Sequence, residues 1–281
     1  MPEFPRTQIE NLSMPRMIIG TNWFLGYSHT SSAKDRQIKE AMTRQRIAEV
    51  LEVFLRSGVD AILGVRADAP HLNDAIRDAE DRTGRRCIRI STPTLNIADG
   101  AEALAETERM LDELVAIGVD LCMPHQATTD ALVDRRRRRI DIAPYLAMIR
   151  RRGMIPGLST HMPETPVYAD ETDLDAATYI QIYNAAGFLM QVEVDWVHRI
   201  IWGARKPVIT IKPMAAGRLL PLVGLGFAWG TLREQDMVTV GTMTPDEARE
   251  LIEISLSLLE NRRSDVTLQK TRSKESVTAK G

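Results

Sequence analysis

Four side chains able to do chemistry stand at comparable points of the chain, each at or near the end of a short apolar run. VDLCMPH closes in His125, MIPGLSTH in His161 and PVITIK in Lys212, while FLMQVEV carries Glu193. A buried polar group costs free energy unless it is paired, so polar residues on otherwise apolar strands call for a reason. Two imidazoles and a carboxylate suit zinc, manganese or iron, which makes His125, His161 and Glu193 a candidate metal set. No compact H-E-x-x-H spacing ties them together, so three separately hydrogen-bonded groups around a cavity is the alternative. Without a metal, His125 and Glu193 can serve as acid and base. Desolvation at the end of an apolar strand would lower the pKa of Lys212 and make it a base or an amine nucleophile. An ion pair with Glu193 is the competing reading of that lysine.

Other polar groups fall at similar points. They include Asn22 with the His29 loop, Arg66 with Asp68, Ser159 and Thr160 ahead of His161, and Gln191 ahead of Glu193. The turn GTMTPDEA, with Gly241, Thr242 and Thr244, places backbone N–H groups at a helix start, where a phosphate can bind. A plain capped helix explains the same residues, with Thr at the cap, Pro next and acids in the first turn. The run Arg135 to Arg139 is flanked by Asp134 and Asp141 and reads as a solvated, ion-paired face.

The elements that must position these groups alternate regularly. Ile47, Val50, Leu51, Phe54 and Leu55 form one helical stripe, and Gly58 ends it before the strand VDAILGV. The same glycine-then-strand signature recurs at Gly84, Gly118, Gly153 and Gly187. Helix five is expected over Leu174 to Ala186 and strand six at FLMQVEV. Eight strand-and-helix units in this order predict a (β/α)8 TIM barrel, whose functional groups sit at the carboxyl ends of its strands. No G-x-G-x-x-G follows the first strand, which disfavours an open doubly wound sheet. Residues 1–15 are expected to be an arm, residues 16–261 the single barrel domain, and residues 262–281 a polar, disordered tail.

Composition bounds the function classes. The chain has 281 residues, 44% hydrophobic and 26% charged, with a net charge of −2. Near-neutral charge gives no reason to expect nucleic acid or a membrane surface as partner. Cys87 and Cys122, both in apolar runs, read as reduced thiols of a cytoplasmic protein. No signal peptide and no membrane-spanning run is expected.

The order of motifs resembles an aldo-keto reductase barrel. GVDLCMPH resembles that family's strand-four motif and places His125 on its catalytic histidine. GLSTH resembles the motif holding the nicotinamide amide, which implies Ser159 and Thr160. MQVEV resembles the Gln-x-Glu strand, which implies Gln191, and VGTMTPDEARELIE resembles the cofactor-phosphate loop and last helix. The resemblance thus implies an NADP-dependent reductase. It departs at three catalytic positions: Leu63 stands for the aspartate, Pro93 for the lysine, and no tyrosine follows strand two. Ile211 replaces the aromatic that stacks on nicotinamide. Tyr27 is the one candidate for a relocated phenol.

The expectation is therefore an enzyme for a small polar metabolite, phosphorylated or not, with metal-assisted or acid–base chemistry at the barrel mouth. A reductase with a displaced acid is the second expectation. A non-catalytic barrel that binds a ligand or another copy of itself is the third.

Overall fold

The computed structural model describes residues 3–278. An antiparallel hairpin, β1 (Arg6–Ile9) and β2 (Leu12–Pro15), precedes β3 (Met17–Gly20), β4 (Ala61–Leu63), β5 (Ile88–Ser91) and β6 (Leu121–Cys122). A second hairpin, β7 (Val133–Asp134) and β8 (Arg139–Ile140), comes before β9 (Ile155–Pro156) and β10 (Leu158–Ser159). The last strands are β11 (Tyr179–Ile182), β12 (Val208–Ile211) and β13 (Met237–Val240). The helices are α1 (Ser32–Ala41), α2 (Arg44–Arg56), α3 (Pro70–Thr83), α4 (Ala101–Ala116), α5 (Gln126–Thr129) and α6 (Ala143–Arg151). They continue as α7 (Glu164–Glu171), α8 (Val194–Gly203), α9 (Pro221–Thr231), α10 (Pro245–Leu259) and α11 (Arg272–Thr278).

Nine strands pair in parallel in the order β10-β11-β12-β13-β3-β4-β5-β6-β9. The two ends of that order are consecutive pieces of one strand, broken at Gly157, so the sheet closes into a (β/α)8 barrel. At the break the strand changes partner: Gly157 N donates to Cys122 O at 3.2 Å, and Leu158 N donates to Thr178 O at 3.0 Å. A Cβ at position 157 would lie 2.9 Å from both Thr178 O and Met123 Cε, so a side chain here would collide with the neighbouring strand.

Two layers of apolar packing follow from strand alternation. One cluster fills the barrel with Ile18, Ala61, Ile90, Leu121, Ile180, Ile209 and Met237, joined by Ile9 and Met14 of the first hairpin. The larger cluster packs the helices on the outside of the sheet. The predicted stripe Ile47, Val50, Leu51, Phe54 and Leu55 is the buried face of α2. Within the expected arm, residues 6–15 form a hairpin whose Ile9 and Met14 join the barrel interior, while residues 1–2 lie outside the described residues.

The structure corrects one unit of the sequence reading. Helix five is α7 (Glu164–Glu171), and the segment expected to be helical contains β11, whose four residues are all buried. The expected strand FLMQVEV is not a strand: Gln191 and Glu193 lie exposed, and Glu193 sits at the N-cap of α8. Apolar content misled here, because Tyr179–Ile182 is buried on both faces and has no alternation to mark it. The tail expected to be disordered is partly ordered. Arg262 pairs with Glu253 at 2.6 Å, Val266 packs on the core, and residues 272–278 are helical. Residues 279–281 of that expected tail lie outside the described residues.

Replacing Gly157 with alanine is expected to destabilise the fold by roughly 1–3 kcal/mol, the usual range for overpacking. Chemical denaturation measures it. Gly203→Ala, where an added Cβ meets nothing within 4 Å, is the control and should change stability by less than about 1 kcal/mol.

Candidate functional site

Lys212 follows β12 directly and adopts a left-handed backbone, φ +62°. A non-glycine residue in that region is uncommon, and Pro213 favours an extended conformation at the residue before it. Such strain persists only where the surroundings impose it, and it is found at functional sites. The side chain is partly buried, and among the described residues no carboxylate lies within ion-pairing distance of its ammonium. The expected pair with Glu193 does not form, since the glutamate belongs to the exposed start of α8. Burial alone holds the amine below the ordinary lysine range.

Three imidazoles share the electrostatic field of this lysine: His29, His125 and His161. His161 follows β10, where burial, then Lys212, then His125 and His29 push its pKa down to about 4. His125 caps α5, and Ala127 N donates to its Nδ1 at 3.3 Å, which leaves Nε2 to carry the proton of the neutral ring. Burial lowers His125, against the pull of Asp130. His29 takes a left-handed backbone in the loop before α1, φ +58°, with its Nε2 2.9 Å from Asn22 Nδ2. All three rings favour the neutral form, each poised to accept or relay a proton rather than to hold a charge.

Asp130, which the sequence did not single out, links the ends of two strands. Its carboxylate accepts from Thr160 Oγ1, and also from His161 N at 3.2 Å. Burial raises this carboxyl above the ordinary aspartate range, opposed by the hydrogen bond from Thr160. The acid thereby fixes the backbone that carries His161 while its charge acts on His125. A lone Asp five residues past a strand-end histidine is the only trace of this in the sequence.

The remaining predicted residues divide by their strands. Ser159 and Thr160 are both buried at the end of β10. Gln191 is exposed and off the sheet, but Gln181 stands buried on β11, the sixth barrel strand, and donates to Met162 O at 3.3 Å. The glutamine that lies within the barrel is thus in YIQIYN, not in MQVEV. At the end of β13, Trp23 packs over Gly241: a Cβ there would lie 2.5 Å from Trp23 Cδ1. Thr242 is buried with its Oγ1 unpartnered. Thr244 and Glu247 form a complete capping box, and Glu247 Oε2 accepts from Met243 N at 2.8 Å and Thr244 N at 3.2 Å. Of the N–H groups expected to hold phosphate, that of Thr244 is thus satisfied by the chain's own carboxylate.

The expected metal set does not assemble. With Glu193 on the exposed start of α8, the two histidines lack their carboxylate, and among the described residues no group of three or more His, Cys, Asp or Glu is placed to hold a metal ion. Tyr27 is 45% exposed, and its phenol interacts with Arg66. The arginine run forms the turn of the second hairpin: Arg135 pairs with Glu164 at 2.6 Å and Arg138 with Glu171 at 2.6 Å. No helix of the described residues is long and apolar enough to cross a membrane.

Neither a family model nor a curated protein sequence matches the chain. Solved structures do. A Pseudomonas aeruginosa protein provisionally assigned as an aldo-keto reductase superposes with a TM-score of 0.65 at 16% identity, covering 90% of this chain and 96% of its own. Glycerol dehydrogenase from Gluconobacter oxydans follows at 0.55 and 11% identity, covering 94% and 99%. Aldose reductase from Giardia lamblia gives 0.52 and 14%, covering 90% and 89%. At these identities the likeness is one of fold: a divergent, aldo-keto-reductase-like barrel.

The His161 ring is neutral in the native protein at pH values where the unfolded chain already binds a proton. Its contribution to stability is therefore lost as pH falls from its ordinary value of 6.5 toward about 4. Imidazole NMR should place the His161 midpoint near 4 in the native protein. In Lys212→Met the midpoint should move up, because one of the two largest causes of the shift has gone.

Proposed function

We propose that this barrel is an enzyme acting on a small polar metabolite at the carboxyl ends of its strands, by acid–base chemistry of His125, His161 and Lys212. The observation that carries this is the partly buried, unpaired Lys212 amid three imidazoles held neutral. A structural lysine is ordinarily ion-paired or reaches solvent, and a structural histidine is ordinarily locked by two hydrogen bonds. Burial holds these groups below their ordinary pKa values, which makes their neutral forms available to exchange protons with a bound substrate. With the rings neutral, a protonated Lys212 is the charge that favours an anionic substrate, a carboxylate or a phosphate ester. His125, donating from Nε2, suits the polarising of a carbonyl or hydroxyl oxygen, with His161 as acceptor.

Incubation of the protein with a metabolite extract, followed by mass spectrometry, tests this. One substrate and product pair should change with the native protein and stay unchanged with Lys212→Met and with His161→Asn. Conversion that survives both substitutions would overturn the assignment.

A second reading, an NADP-dependent oxidoreductase, is favoured by one observation. Ser159, one of the residues the family resemblance implies for the nicotinamide amide, lies buried on β10 beside the buried Gln181 of β11, which takes the place in the barrel expected for Gln191. Pro93 and Leu63 still stand where that resemblance needs a lysine and an aspartate, so a hydride acceptor would have to draw its proton from His125. Quenching of protein fluorescence by NADPH, weakened in Gln181→Ala, is the expected outcome. A flat titration would remove this reading.

A further inference from the structure

Resting on the acid–base reading of the same site, we infer that Lys212 is a nucleophile: its amine forms an imine with a small carbonyl compound that carries an anionic group. Position, conformation and surroundings point to this together. Lys212 leaves β12 with a left-handed backbone, which turns the chain abruptly at the strand end, and Ala215 N donates back to Lys212 O at 2.9 Å to hold the turn. The ammonium lacks a carboxylate partner among the described residues, although 24 ion pairs are present elsewhere. A chain that pairs so many of its arginines leaves this one partly buried lysine uncompensated. An amine that need only act as a positive charge gains nothing from that desolvation, whereas a nucleophile must be available unprotonated.

The neighbours supply what imine formation needs. The neutral amine adds to the carbonyl carbon, forming the C–N bond as the carbonyl oxygen becomes a hydroxyl. One imidazole takes the first amine proton, and the imidazolium so formed delivers it to that oxygen. The hydroxyl then leaves as water, with the second amine proton lost from nitrogen as the C=N bond closes. The two amine protons and the carbonyl oxygen depart together as one water molecule, and no oxidant or reductant is consumed. Asp130, holding the backbone of His161 through its N–H and contacting Thr160, acts as a positioning residue for this exchange.

Borohydride trapping tests the inference. The native full-length protein is incubated separately with pyruvate, dihydroxyacetone phosphate and glyceraldehyde 3-phosphate, reduced with borohydride, and mapped by peptide mass spectrometry. At least one probe should add its own mass less one oxygen atom to the peptide containing Lys212. The addition should be absent in Lys212→Arg, which keeps the charge but cannot form the imine, and should saturate with probe concentration. Adducts spread over surface lysines to the same extent in the native protein and in Lys212→Arg would overturn it, as would no adduct from any probe. Loss of trapping together with continued metabolite conversion that depends on His161 would sink the imine alone and leave the acid–base reading standing. Conversion unaffected by His161→Asn would remove the underlying reading instead.

Discussion

The structure depends on how its parallel sheet closes. Parallel strands buried on both faces cannot leave an open edge without exposing a row of unpaired N–H and C=O groups, and a cylinder removes both edges at once. The closing strand is the one broken at Gly157, where hydrogen bonding passes from β6 on one side to β11 on the other. No side chain fits at the changeover, with Thr178 O and Met123 Cε both 2.9 Å from where a Cβ would sit. Closure brings the ends of β6, β10 and β12 around one opening, and that is what brings His125, His161 and Lys212 within electrostatic reach although they are far apart in sequence.

Within that opening, desolvation sets the chemistry more than any pairwise contact. It is the first cause of the lowered pKa at His29, His125, His161 and Lys212 alike. The charge of Lys212 lowers all three imidazoles further, and His161 is lowered by His125 and His29 as well. Asp130 is the one carboxylate shown to act on His125 here, and it is spent on Thr160 and the backbone of His161.

The start of α10 is a capped helix end. Helix N-termini offer unpaired N–H groups, and something must satisfy them. Here Thr244 and Glu247 do so within the chain, whereas nothing within the described residues does the equivalent for Lys212. The flanking arginine hairpin follows the first pattern: its guanidiniums meet Glu164 and Glu171 at 2.6 Å, and a conspicuous charge run is explained by its partners.

By itself the sequence determined the barrel. Apolar runs of strand length, glycines ending the helices and stripes such as Ile47 to Leu55 are local signals, and local backbone preference plus burial suffices to read them. His125, His161, Ser159, Thr160 and Lys212 were legible for the same reason, since each ends a recognisable apolar strand. What only the tertiary structure decided was which apolar run is the sixth strand, and with it whether Gln181 or Gln191 lies in the barrel. YIQIYN and FLMQVEV are alike in composition, and only pairing with β10 and β12 distinguishes them. The fate of Glu193 follows from that choice: off the sheet, it leaves the two histidines without their third ligand and Lys212 without its counter-ion. The tie from Asp130 to the end of β10 was equally invisible, because a hydrogen bond across thirty residues leaves no periodicity to read.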